Sequence, residues 1–124
     1  MPFVHTETVR FSDVDSLGHV NNAAYLTYLE QARIAFLAPI GADQTQMILA
    51  RAELDFRAQV GFGDELAIEV RPLRVGTKSF DLGYTLRAGG RVVAEAKTVL
   101  VAFDYASGET VSVPDAWRAG LAAE

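Results

Sequence analysis

Three side chains able to exchange or hold a proton, Asp13, Asp15 and His19, fall within seven residues of one another. They lie in the polar, turn-rich stretch Ser12-Asp-Val-Asp-Ser-Leu-Gly-His19, directly ahead of a segment with helical spacing. A loop of this kind leads into a helix N-terminus, where the first N–H groups lack intrahelical partners and the dipole favours negative charge. A carboxylate beside such donors suits hydrolysis of an acyl group. The donors polarise a carbonyl, and the carboxylate attacks it or activates a water. The plainer reading is that each polar residue only caps a helix or turns the chain.

Other chemistries find less support. No Gly-x-Ser-x-Gly elbow is present. The second histidine, His5, reads as a strand residue. The chain has no cysteine, which excludes a disulfide scaffold, thiolate metal sites and a Cys nucleophile. Asp13, Asp15 and His19 are possible metal ligands, but the calcium-loop pattern fails at Leu17 and no Glu follows at the right distance. A zinc site would need a further ligand from elsewhere. A metal is therefore not expected. Gly61-Phe62-Gly63 reads as a turn and not as a phosphate loop. The formal charge of −5 comes with no basic tract, so nucleic acid is not an expected partner. No apolar run approaches the ~18 residues of a membrane span, and the absence of a signal-like start fits a cytoplasmic protein.

The elements that must position the loop are legible from periodicity. Residues Phe3 to Phe11 alternate loosely and read as a strand. From Ala23 to Leu37, Tyr25, Leu29, Ala32 and Phe36 recur at three- and four-residue spacing, with Leu26, Tyr28 and Leu37 widening the stripe. Asn21 or Asn22 is the candidate cap, and Pro39 and Gly41 end the helix. Glu30 and Arg33, three apart, are spaced to pair on it. Four strands follow. Met47 to Arg57 is expected to place Ile48, Ala50, Ala52, Leu54 and Phe56 on one face. The next carries Leu66, Ile68 and Val70 towards Val75. The third carries Phe80, Leu82, Tyr84 and Leu86. After the hairpin signal Ala88-Gly89-Gly90 comes Val92 to Phe103. Asp104 to Pro114 reads as loop and Asp115 to Ala123 as a short helix.

The order β-α-β-β-β-β with short turns implies one α+β domain over residues 1–124, an antiparallel sheet covered on one face by one long helix. Half of the residues are hydrophobic and 22% are charged, a globular balance. Nineteen are Ala, yet the mean hydropathy of +0.15 is still high for 13.4 kDa. The surplus points to apolar area covered by a second copy of the chain.

The block Phe11-Ser-Asp-Val-Asp-Ser-Leu-Gly-His-Val-Asn-Asn-Ala-Ala-Tyr25 resembles the hotdog-fold acyl-CoA thioesterases of the 4-hydroxybenzoyl-CoA thioesterase type. The likeness continues through Tyr28-Leu-Glu-Gln-Ala-Arg33, Glu53-Leu-Asp-Phe-Arg57, Gly63-Asp-Glu-Leu66 and Gly76-Thr-Lys-Ser-Phe80. It implies the hotdog fold, a long central helix wrapped by a curved antiparallel sheet. It also implies homodimers joined edge to edge or homotetramers built from them, active sites at the dimer interface, acyl-CoA as substrate, and no metal or cofactor. The family's catalytic carboxylate falls on Asp15 and its carbonyl-holding helix-start amide on Asn22. Gly18 lets the loop turn closely around the acyl group, and His19 lines the pocket or braces the loop. By the same resemblance Tyr25 belongs to the acyl pocket or the core, Asp13 organises the loop, and Arg57, Thr77, Lys78 and Ser79 are candidates for contacts to CoA. Arg74, Arg87 and Arg91 are further cationic candidates. Two other readings compete with hydrolysis: a non-catalytic acyl-CoA or acyl-carrier binding module, and an enoyl-CoA hydratase using Asp15 and His19.

Overall fold

In the computed structural model, which describes residues 2–123, five long strands form one antiparallel sheet curled around a single long helix. The elements are β1 (Phe3–Thr8), α1 (Asn22–Leu37), β2 (Met47–Phe56), β3 (Glu65–Val75), β4 (Ser79–Ala88), β5 (Arg91–Asp104), the two-residue β6 (Glu109–Thr110) and α2 (Asp115–Ala122). The strand order is β1-β3-β4-β5-β2, with β6 pairing to β5. This is the α+β class expected from the element order and the hotdog fold implied by the resemblance. The curled sheet presents Leu66, Ile68, Val70, Phe80, Leu82, Tyr84, Leu86, Ala94, Leu100 and Ala102 to the core, all of them buried. Burial of this continuous apolar face is the main driving force for the fold.

Helix α1 lays Tyr25, Tyr28, Leu29, Ala32, Phe36 and Leu37 into that face, as the three- and four-residue spacing requires. It rests on β1 and β3, where Phe3 meets Phe36 edge-on at 5.4 Å between ring centres. Asn21 is the cap: its side chain accepts from the Ala23 N–H at 2.9 Å. Helix α2 closes one end of the core with Trp117 and Leu121.

Four expectations are corrected. The first strand ends at Thr8; Asp13 pulls Phe11–Asp13 into a 3-10 turn by accepting from the Arg10 N–H. The alternation expected in β2 breaks at a bulge between Leu49 and Arg51. Pairing with Ala102, Leu100, Thr98, Ala96 and Ala94 of β5 therefore puts Met47, Leu49, Ala52, Leu54 and Phe56 on one face, and Ile48 on the other. The stretch after β5 contains the turn Asp104–Gly108 and the strand β6 rather than loop alone. Finally, Arg33 does not pair with Glu30. Glu30 is exposed, while Arg33 is buried and donates through Nη1 to the Tyr84 hydroxyl at 3.3 Å.

Candidate active site

The loop ahead of α1 is a closed hairpin. Val14 and Val20 bridge, the Asp15 N–H donates to the His19 carbonyl at 2.9 Å, and the Gly18 N–H returns to the Asp15 carbonyl at 3.1 Å. Gly18 sits at φ +83°, a conformation that a residue with a Cβ adopts only with strain. The Asp15 Oδ1 accepts from the Leu17 N–H at 2.9 Å and the His19 N–H at 3.4 Å. The other carboxylate oxygen takes no hydrogen bond from the described residues. The hairpin is strapped to the chain between β2 and β3: Val20 N–H donates to the Val60 carbonyl at 2.8 Å, and His19 bridges Gly61.

Where hairpin, strap and helix meet lies an open cleft of about 320 Å³. It is lined by Asp15, His19, Asn22 and Tyr25 from one side, and by Phe56, Arg57 and the segment 58–60 from the other. Five sequence-derived candidates thus come together: Asp15, His19, Asn22, Tyr25 and Arg57. Gly18 shapes the turn beside them. The Asn22 N–H opens the first turn of α1 and has no acceptor among the described residues, because Asn21 caps Ala23 and its carbonyl takes the Ala24 N–H. Tyr25 is buried, packed edge-on against Phe56 at 5.0 Å and Tyr28 at 5.9 Å. Burial pushes its phenol above the usual range. Arg57 is half-exposed and already tied to Glu95 at 3.1 Å. The His19 ring makes no hydrogen bond to the described residues.

Asp13 stands behind this surface. Burial alone would raise its carboxyl, but the Arg10 N–H, the Tyr28 hydroxyl and the Arg10 guanidinium outweigh it and hold the group below the ordinary carboxylate value. Tyr28 is pushed up in turn, chiefly by burial and then by its bond to Asp13.

Thr77, Lys78 and Ser79 do not reach this cleft within one chain. They form the connection from β3 to β4, at the end of β3 opposite Glu65, roughly 30 Å away along an eleven-residue strand. There Lys78 Nζ meets the Thr110 hydroxyl at 3.4 Å and Ser79 accepts from Arg74 at 2.8 Å. On the opposite wall, Phe56 to Val60, the sequence offered only Arg57 as a candidate; Ala58, Gln59 and Val60 carried no signal, and Phe56 only its place at the end of an alternating strand. A hollow of about 340 Å³ near the C-terminal end of α1 holds one carboxylate, Asp43, which is taken up by Thr45, and presents no comparable chemistry.

Residues 9–121 match the thioesterase-like superfamily. The chain belongs to that superfamily. A Thermosynechococcus vestitus protein named 1,4-dihydroxy-2-naphthoyl-CoA hydrolase is 31% identical over 126 residues, spanning 94% of this chain and 86% of the relative. An uncharacterized Bacillus subtilis protein is also 31% identical, over 91% of this chain and 80% of its own length. Among solved structures, a Thermus thermophilus thioesterase complexed with coenzyme A and zinc superposes with a TM-score of 0.90 at 34% identity, covering 97% of this chain and 91% of that one. The chain is thus a hotdog-fold thioester hydrolase.

Proposed function

We propose that the cleft hydrolyses an acyl-CoA thioester, with Asp15 as general base or nucleophile and the Asn22 N–H polarising the carbonyl. The observation that carries this reading is that one cleft is lined by Asn22, whose helix-start N–H has no acceptor among the described residues, and by Asp15, one of whose oxygens is unengaged among them. As water adds to the thioester carbon, Asp15 takes its proton, and the charge that develops on oxygen rests on Asn22 N–H and the α1 dipole. Collapse expels the CoA sulfur, which regains the proton. In the nucleophilic variant the carboxylate adds first and expels the CoA thiolate, giving an anhydride; water then cleaves the anhydride to the free acid and the Asp15 carboxylate, and the proton released goes to the thiolate. Neither route passes through a metal or cofactor. The coenzyme A bound by the Thermus relative supports CoA as the leaving group.

The working unit is a dimer formed along β2. This edge strand exposes Leu49, Ala50, Ala52 and Phe56 and leaves one row of backbone groups without a partner in the sheet. Two copies joined antiparallel along β2 set the Phe56 end of one against the Met47 end of the other. Lys78 lies beside that Met47 end, since its carbonyl accepts from Ala102 N–H at 2.9 Å and Ala102 pairs with Met47. The partner's Thr77-Lys78-Ser79 turn then comes to the Asp15 cleft, where it can meet the CoA end of the substrate.

Asp15→Asn tests the chemistry. Asparagine keeps an oxygen for the Leu17 and His19 N–H groups but removes the base. Thiol release from a panel of acyl-CoAs is expected to fall roughly 100-fold or more. Release within a few-fold of wild type overturns the assignment, and tight acyl-CoA binding with no release by the wild-type chain favours a binding module.

A further inference from the structure

The proposed chemistry leaves the other carboxylate of the loop, Asp13, without a task, and Asp13 is the buried one. It is 7% exposed. Its Oδ2 accepts from the Tyr28 hydroxyl at 2.8 Å and from the Arg10 N–H at 3.0 Å, and both its oxygens face the Arg10 guanidinium at 3.3 Å. Its main-chain carbonyl accepts from Asn21 N–H at 2.8 Å. One residue is thus fastened by its side chain to the body of α1 and by its backbone to the residue that caps α1. Asp15 follows two residues later, inside the hairpin that the Val14–Val20 bridge closes.

Tyr28 lies six residues beyond Asn22, ~9 Å along the helix axis. Helical side chains lean towards the N-terminus, which brings this phenol back to the loop from behind Tyr25. The loop and the first turn of α1 are joined through this strut as well as through the chain itself. An acceptor bound by a neutral hydroxyl, a backbone N–H and a guanidinium is a strong one, and it adds a directional tie to the apolar packing of Val14 and Val20 against the core.

We propose that Tyr28 and Asp13 are positioning residues that fix the separation of the Asp15 carboxylate from the Asn22 N–H. Neither touches the substrate. The proposal rests on the assignment of Asp15 and Asn22 above and adds to it the device that keeps the two aligned. Alignment matters because a displacement of about 1 Å between reacting groups can cost about 100-fold in rate.

Tyr28→Phe removes one oxygen and leaves the ring packed. In the folded variant kcat is expected to fall about tenfold or more while KM stays within about twofold, since the walls that hold substrate are untouched. Asp13→Asn is the second variant and should show the same split. Hydrogen exchange at the Asn21 amide should quicken in both, by more than at amides in the middle of β4, which follow global stability. In the Asp15→Asn background, Tyr28→Phe should cost little further rate, because the group it aligns is gone. A kcat within twofold of wild type in both folded variants overturns the proposal. So does a loss confined to KM, or an equal loss with and without Asp15. Failure of the underlying assignment shows separately, as wild-type rates in Asp15→Asn alone.

Discussion

At Asp15 the carboxylate to which we assign the chemistry is also the acceptor that closes its own turn, through Leu17 and His19. The capping role and the catalytic role, which compete when the loop is read from sequence, are therefore compatible: one oxygen holds the turn and the other is available. Asp13 and Asp15, two residues apart and identical in type, are separated by their surroundings. Asp13 is buried among donors, and Asp15 faces the cleft. The lowered Asp13 carboxyl has a consequence for stability. A group whose folded pKa lies below its unfolded value stabilises the fold fully above the unfolded value, and that contribution is lost as pH falls through the folded one. Asp13→Asn should therefore unfold at lower urea concentration than wild type at pH 7. The gap should narrow as the pH drops below about 4. A gap independent of pH counts against an ionised Asp13 as the source of the stabilisation.

At the scale of elements, α1 and the sheet are joined by a polar contact inside an apolar core. Arg33 donates to Tyr84, whose hydroxyl is hydrogen-bonded to that of Thr98 at 2.7 Å, and Arg33 Nε has no acceptor among the described residues. A buried guanidinium with so few acceptors stabilises poorly, and an apolar side chain of similar length is often as good or better. Arg33→Met is expected to hold or raise the melting temperature. Tyr84→Phe, which strips the cation of its acceptor, should lower stability by about 1–3 kcal/mol. The reverse order in thermal melts would mean that the arginine is a net contributor to the core. The spacing of Glu30 and Arg33 suggested an ion pair, because spacing along a helix says which residues are neighbours and not which side of the stripe they occupy. The helix itself was legible from Ala23 to Leu37, as were its cap and its stop, since these depend on residues within a turn of one another.

At the scale of the whole molecule, the dimer we propose completes the site with a second copy of the chain. β1 and β2 are both edges of the long-strand sheet, but β2 carries the exposed apolar row and flanks the cleft. Ala52→Asp places a charge in that row and should shift the chain towards monomer in sedimentation velocity, with thiol release falling in parallel. A monomer as active as wild type removes the dimer from the mechanism. The α+β class, the element order, the loop that carries the carboxylates and the helix that follows it are all written in the order of the residues. They rest on the 3.6- and two-residue periods, a capping asparagine and a glycine at positive φ, all of them short-range properties of the backbone. Which side chains from distant parts of the chain meet is settled by the packed fold: Tyr28 with Asp13, Arg33 with Tyr84 and Thr98, Phe56 to Val60 across from Asn22. Such meetings depend on strand register and helix docking. One bulged residue at Ala50 is enough to reverse the face of every residue before it.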